Sequence, residues 1–404
     1  MIFHPAVIAL LTGSLLTGAM LIYAAFFALR ILRHWDLASG SELQVSLERR
    51  THLIATFMAF VCTFQMLSLF LFIQTADSLS ALFSGAMCAA GTLNLNAFGY
   101  PTLILKLLTF ILAGLWLIVN HADNQGYDYP LIRVKYRLLL VTAPLLVIEA
   151  ALQTGYFLSV QPNVITSCCG SLFGVEGNGA AATLTDLPVF PLLLALVVAL
   201  ALTVASGIHF IWHGRGGDLF AAFVVVLAEV VVQWGFFFAP KSHCDILFST
   251  AAHGIAQTLA AAPVSPLLAA LAIALALTLA CGGYLLGQGR GGGLFAALST
   301  ATLAWGCIAL ISAISVYIYA LPTHHCPFCI LHREYGYVGY ILWGTLLGGG
   351  TAGLGVGALQ PFRGIDSLAT ALPAIQRRLT LTAMIFYGAF GGATLWQIMI
   401  SKLI

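Results

Sequence analysis

The chain has 404 residues, of which 60% are hydrophobic and 7% are charged, with a formal net charge of +2 and a mean hydropathy of +0.99. This composition excludes a soluble globular domain and a nucleic-acid-binding surface, and it predicts an all-α, polytopic integral membrane protein. No Lys or Arg precedes the first apolar run, so we expect no cleaved signal peptide.

Apolar runs long enough to cross about 30 Å of hydrocarbon as helices recur along the whole sequence. Ten of them are found, near 7–31, 52–74, 101–119, 137–160, 188–212, 218–238, 264–287, 295–320, 335–358 and 379–401. We therefore expect a bundle of about ten transmembrane helices. Glycine runs inside the spans, such as Gly348 to Gly350, indicate close helix packing.

Basic residues cluster in the connections on one side of this bundle. Twelve of the sixteen Lys and Arg fall there, namely Arg30, Arg33, Arg49, Arg50, Arg133, Lys135, Arg137, Arg215, Arg290, Arg363, Arg377 and Arg378. The positive-inside rule makes this side cytoplasmic. Both termini are then predicted to lie outside.

The spacing of the outer cysteines predicts an internal repeat. Cys88 precedes Cys168 by 80 residues and Cys244 precedes Cys326 by 82, and each interval holds two spans. We expect parallel four-helix repeats at 1–187 and 188–334, followed by two additional helices at 335–404.

Six cysteines fall in or beside the outer loops: Cys88, Cys168, Cys169, Cys244, Cys326 and Cys329. They are suited to structural disulfides, a redox relay or a metal site, and the sequence leaves these three open. Histidines that could join a metal site with Cys244 are His243, His324 and His325, although their spacing is not that of a standard zinc site. No Cys-x-x-Cys-His motif occurs, so a covalent c-type haem is not indicated. Cys62, Cys281 and Cys307 lie inside spans and are interpreted as small apolar residues.

Three Glu or Lys residues lie inside predicted spans, away from the span ends. Glu149 and Glu229 fall near the centres of spans four and six, and Lys106 lies about one and a half turns inside span three. A protonated Glu hydrogen-bonded between helices and a snorkelling Lys would explain them without function. Burying charge in a bilayer is costly, so two central Glu together favour a proton path or a polar cavity.

A polar, thiol-rich stretch precedes the ninth span and reads His-His-Cys-Pro-Phe-Cys-Ile-Leu-His-Arg-Glu-Tyr over residues 324–335. If Cys326 and Cys329 open a long helix, its N-terminus stabilises a thiolate and activates the pair. Pro327 suits a first helical turn. Arg333 would then lie one turn below Cys329 on the same face.

This segment resembles the active-site segment of the DsbB family of quinone-coupled disulfide oxidoreductases and, more loosely, vitamin K epoxide reductase. The resemblance covers about twenty residues, from Thr323 to Leu342. It implies that Cys326 and Cys329 are the redox pair and that Arg333, with its neighbour His332, contacts a quinone. It also implies a bacterial inner membrane location with the cysteine loops on the periplasmic side.

Two classes of function follow from these features. The first is a membrane oxidoreductase that exchanges electrons between a periplasmic thiol, disulfide or metal centre and a membrane quinone. The second is a transporter or a membrane-anchor subunit of a larger complex, whose outer cysteines form structural bridges or hold a metal. The Cys-x-x-Cys-x-x-x-Arg match favours the first, whereas the number of spans favours the second.

Overall fold

The computed structural model describes residues 4–80, 89–93, 98–159, 263–320 and 326–401 of the chain. These ranges are helical and contain no strand. The predicted all-α fold is therefore confirmed for the part of the chain that the structure describes.

The described residues form ten α-helices, which we number α1 to α10. Their bounds are α1 Pro5–His34, α2 Glu42–Ser80, α3 Ala89–Leu93, α4 Gly99–Asp123, α5 Ile132–Ser159, α6 Val264–Gln288, α7 Gly292–Ala309, α8 Ser315–Tyr319, α9 Val338–Leu359 and α10 Ala371–Ile400. A π-helix joins α7 to α8, and there are short 3-10 helices between α8 and α10; they are Leu310–Ile314, Cys329–Leu331, Arg333–Tyr335, Gln360–Gly364 and Asp366–Leu368.

Eight helical stretches within the described ranges are long and apolar enough to cross a membrane. One of them, Gly292–Tyr319, combines α7, the π-helix and α8, and another, Val338–Gly364, includes the 3-10 helix after α9. They correspond to eight of the ten predicted spans. The spans predicted near 188–212 and 218–238 lie outside the described residues. So do Cys88, Cys168, Cys169 and Cys244, so the internal repeat stays a prediction.

The chain divides into two compact units. Unit 1 comprises Met1–Leu117 and Ile132–Cys244, and unit 2 comprises Ile118–Leu131 and Asp245–Ile404. In unit 1, α1 packs on α2 and α5, and α2 packs on α3. In unit 2, α9 packs on α7 and α10, and α6 packs on both α7 and α10.

Glycines on α9 allow its neighbours in unit 2 to approach closely, as the sequence predicts. A Cβ added at Gly350 would lie 2.7 Å from a Leu303 side-chain atom, and one at Gly353 would lie 2.4 Å from the Cβ of Ser299. Real Cβ atoms do not tolerate such distances, because protein interiors are close-packed. The glycines therefore set the spacing of α7 and α9.

The expectation that Cys326 and Cys329 occupy the first turn of a long helix is wrong. Helix α9 begins at Val338, after two separate 3-10 helices. Gly336 and Tyr337 both have positive φ, 64° and 57° respectively, and this left-handed backbone cannot continue a right-handed helix. Arg333 consequently does not lie one helical turn below Cys329, and the dipole of α9 is not applied directly to the thiols.

Candidate functional site

The thiol-rich segment folds as two 3-10 turns against the start of α9, within unit 2. Cys329–Leu331 forms the first turn and Arg333–Tyr335 the second, with His332 extended between them at ψ 158°. The carbonyl of His332 accepts hydrogen bonds from the backbone N–H groups of Tyr335 and Tyr337, both at 3.2 Å. These bonds connect the second turn to α9.

Cys326 and Cys329 are both buried thiols, only 4% and 8% exposed. The Tyr319 hydroxyl at the end of α8 donates to the carbonyl of Cys326. On α9, Trp343 Nε1 donates to the carbonyl of Pro327 at 3.3 Å. Donors from two different helices therefore hold the backbone of the thiol segment.

A glycine allows this segment to lie directly on α9. A Cβ added at Gly339 would be 2.7 Å from Cγ1 of Ile330 and 2.9 Å from the backbone carbonyl carbon and oxygen of Ile330. Backbone atoms cannot move aside as a flexible side-chain end can. The absence of a side chain at Gly339 thus fixes the depth at which the 3-10 turn Cys329–Leu331 packs.

Tyr335, in the second 3-10 turn, lies between the thiol segment and the end of α8. Its ring packs edge-on against Tyr319, with the ring centroids 4.8 Å apart. Partial burial raises the pKa of the Tyr335 phenol, and negative charge on Cys329, Glu334 and Cys326 raises it further. Both sulfurs are therefore within electrostatic reach of Tyr335.

Beside Tyr335 is an open cavity of about 520 Å³. Its wall includes Ile341 of α9 and Trp396 and Ile400 of α10, which are 54%, 59% and 54% exposed. Its polar lining is provided by the segment Glu334–Gly336 and by Gln397. A membrane-spanning helix exposes such apolar side chains to lipid, so the cavity combines an apolar wall suited to a lipid-soluble molecule with a polar end.

Arg333 and His332, the residues that the resemblance assigns to quinone contact, lie next to this lining in sequence. Arg333 is exposed and His332 is half-buried. The residues of the same segment that line the cavity are Glu334, Tyr335 and Gly336. Tyr335 and Tyr319 were not singled out from the sequence, although an aromatic residue beside a Cys-x-x-Cys segment is a signal that could have indicated them.

A second polar cluster is buried in unit 1. Lys106 of α4 and Glu149 of α5 form an ion pair, with 2.7 Å between Nζ and Oε1, and both side chains are at most 1% exposed. Glu149 Oε2 accepts hydrogen bonds from Gln65 Nε2 at 2.8 Å and from the Thr109 hydroxyl at 2.9 Å. The sequence placed Glu149 and Lys106 inside the bilayer, and the structure pairs them. Glu229, the other residue predicted for a proton path, lies outside the described residues.

The predicted metal ligands lie outside the described residues; they are His243, Cys244, His324 and His325. The loop cysteines Cys88, Cys168 and Cys169 also lie outside them. Within the described residues, no group of three or more His, Cys, Asp or Glu side chains is placed to hold a metal ion. Cys62, Cys281 and Cys307 lie in α2, α6 and α7 as predicted, with Cys281 buried and the other two half-buried.

Comparison with known proteins found no matching family model, no matching curated protein and no matching solved structure.

Proposed function

We propose that the protein is a membrane oxidoreductase in which Cys326 and Cys329 exchange electrons with a quinone held in the cavity beside Tyr335. The observation that carries this proposal is the position of Tyr335. It lines the 520 Å³ cavity, and its ring packs on that of Tyr319, whose hydroxyl donates to the Cys326 carbonyl. A redox-active thiol pair needs an electron acceptor nearby, and a lipid-facing cavity next to it is suited to a lipid-soluble acceptor.

The chemistry balances between the two partners. The S–H bonds of Cys326 and Cys329 break and one S–S bond forms, which releases two electrons and two protons. The quinone takes up both electrons and both protons and becomes a quinol. The direction can reverse, because it depends on the relative reduction potentials of the two couples. A periplasmic redox protein of opposite state restores the pair.

The residues of the segment have different roles in this proposal. Cys326 and Cys329 are the catalytic residues, and Tyr335 and Gln397 provide the polar end of the quinone site. Arg333 is exposed beside it and adds positive charge that favours thiolate and quinone anion. His332 connects the two turns through its backbone.

A second candidate function is a transporter or a membrane-anchor subunit of a larger complex. The Lys106–Glu149 pair favours it, because thiol chemistry in unit 2 does not require a buried ion pair in unit 1. In that case the outer cysteines would form structural bridges or hold a metal.

Serine substitution separates these two functions. The purified protein in lipid nanodiscs that contain a quinone is supplied with dithiothreitol, and quinone consumption is followed by absorbance. Cys326→Ser and Cys329→Ser should each abolish turnover at normal protein abundance, whereas Cys281→Ser in α6 should retain it. Full turnover in both single variants would refute the redox function. Low abundance of both variants with normal turnover per folded molecule would instead indicate a structural disulfide.

A further inference from the structure

The buried cluster around Glu149 has a composition that suits a change of protonation state. Glu149 lies ten residues before the end of α5, about 15 Å along the helix axis, or half the thickness of a bilayer core. Gln65, Ser68, Lys106 and Thr109 surround it, and each is at most 1% exposed. A charge at this depth is costly to keep unless it is used.

Three described residues are hydrogen-bonded to Glu149, namely Gln65, Lys106 and Thr109. Of these, Lys106 carries a charge, and Gln65 of α2 and Thr109 of α4 are neutral. The Lys106 ammonium also donates to Ser68 Oγ at 3.2 Å, and it lies 5.8 Å from the centre of the Phe72 ring. Lys106 therefore keeps an acceptor and an aromatic face when the charge on Glu149 is removed.

Thr109 can form a hydrogen bond with Glu149 whether Glu149 is ionised or protonated. Its hydroxyl has one hydrogen but lies within hydrogen-bond distance of Glu149 Oε2 at 2.9 Å, of the Leu105 carbonyl at 2.7 Å and of the Lys106 carbonyl at 3.2 Å. When Glu149 is ionised, Thr109 can donate to the carboxylate. When Oε2 carries a proton, Thr109 can donate to Leu105 instead and accept the hydrogen of the carboxylic acid.

A second buried polar residue, Gln153, lies one helical turn further along α5. Gln153 is fully buried, and its Nε2 donates to the Leu10 carbonyl at 3.0 Å and to Ser14 Oγ at 2.9 Å on α1. The Leu10 carbonyl can only accept, so it fixes the orientation of the amide. Its Oε1 is buried and has no hydrogen-bond partner among the described residues. An orphaned acceptor in such a place favours an ordered water molecule.

We propose that Glu149 is an internal proton-binding site, with Lys106 as its counter-charge, Thr109 as a reversible hydrogen-bonding partner and a water at Gln153 Oε1 as the donor that delivers the proton. Residues 149 and 153 lie four positions apart on α5, so their side chains are on the same face of the helix. Uptake forms one O–H bond on Glu149 Oε2, the proton comes from the aqueous phase, and the charge of the cluster rises by one. This site lies in unit 1 and does not depend on the thiol function proposed for unit 2.

Infrared difference spectroscopy tests the proposal directly. The full-length protein in nanodiscs, with Cys326 and Cys329 intact, is acidified while the carbonyl band of protonated carboxylic acids is recorded. We expect a band that shifts in D₂O, is absent in Glu149→Gln and persists in the matched control Glu42→Gln, which changes an exposed carboxylate at the start of α2. Coincident spectra of the parent protein and Glu149→Gln throughout the folded pH range would show that Glu149 stays ionised and would overturn the proposal.

Further variants distinguish a proton site from a structural ion pair. Thr109→Val should move the position of the Glu149 band, whereas Thr109→Ser should leave it in place. Gln153→Leu should keep the band but slow its hydrogen–deuterium exchange, and unchanged exchange would refute the role of Gln153. If Glu149→Gln does not fold, the double variant Lys106→Met/Glu149→Gln replaces it, because removing both partners avoids an uncompensated buried charge. Thiol turnover of the same samples is measured separately, so failure of either proposal is recognised independently.

Discussion

Tyr335 links three features of unit 2: the thiol pair, the Tyr319 ring and the cavity. It lies in the 3-10 turn that follows the thiols, its ring packs on that of Tyr319, and it lines the cavity. A neutral phenol is also a hydrogen-bond donor, so Tyr335 can hold a carbonyl oxygen of a quinone as long as it remains protonated.

The titration of Tyr335 is predicted to occur above the ordinary tyrosine pKa of about 10. Partial burial is the largest cause, and the charges of Cys329, Glu334 and Cys326 follow. Because the folded-state pKa is raised, the neutral Tyr335 phenol contributes to the stability of the folded state. This contribution is complete below the ordinary tyrosine pKa and is lost as the pH rises through the raised value. Ultraviolet difference titration of the parent protein against Tyr335→Phe measures it.

Replacing both thiols provides the control for this titration. Cys326→Ser/Cys329→Ser should lower the Tyr335 midpoint only in part, because burial remains. A midpoint at or below the ordinary tyrosine value in the parent protein would contradict the environment described for Tyr335.

Some features of the buried cluster around Glu149 could be predicted from the sequence, and others could not. Glu149 and Lys106 were recognisable as buried charges because each interrupts an apolar run. Their pairing was not recognisable, since it brings together side chains 43 positions apart and depends on how α4 packs on α5. No sequence pattern indicates a role for Gln65, Thr109 or Gln153. Their roles are indicated only by the hydrogen bonds that they form in the structure.

At the scale of helices, long apolar runs predicted the described spans well. What the sequence did not indicate were the π-helix at Leu310–Ile314 and the two 3-10 turns after Cys326. The late start of α9 depends on Tyr337, a non-glycine residue with φ 57°, which composition does not reveal. The thiol segment is therefore held by contacts with α8 and α9 rather than by a helix N-terminus.

The contact between the thiol segment and α9 is predicted to be sensitive to one methyl group. Gly339→Ala would place a Cβ 2.9 Å from the backbone of Ile330 and push the turn at Cys329 away. We expect a loss of about 1–3 kcal/mol in stability, the usual cost of overpacking, and faster alkylation of Cys329. Thermal unfolding and timed labelling with a maleimide measure both effects.

Gly388→Ala in α10 is the matched control. An added Cβ there would meet no atom within 4 Å among the described residues. Replacement of a helix-interior glycine by alanine should then be neutral or stabilising by up to about 1 kcal/mol. Unchanged stability and labelling in Gly339→Ala would show that the segment does not pack on α9 as described.

For the molecule as a whole, the eight helical stretches of the described residues that are long and apolar enough to cross a membrane agree with an integral membrane protein. The orientation remains a prediction from the basic residues, which include Arg30, Arg33, Arg49 and Arg50 around the connection between α1 and α2. This prediction places the connection in the cytoplasm and the thiol segment outside.

Labelling of single cysteines in intact cells tests this orientation. A cysteine introduced at Ser39, in the connection between α1 and α2, should resist a membrane-impermeant maleimide until the cells are permeabilised. A cysteine introduced at Ser401, beyond the end of α10, should be labelled without permeabilisation. The reverse pattern would invert the topology and place Cys326 and Cys329 in the reducing cytoplasm.

The proposed function requires that the Cys326–Cys329 pair is in redox equilibrium with a membrane quinone. The most direct measurement equilibrates the purified protein in nanodiscs with defined quinone–quinol mixtures, blocks thiols by alkylation and quantifies each cysteine by mass spectrometry. We predict that Cys326 and Cys329 become resistant to alkylation together as the quinone fraction rises, while Cys281 and Cys307 remain alkylated after unfolding at every ratio. If Cys326 and Cys329 keep the same oxidation state across all mixtures, the proposed redox function is wrong.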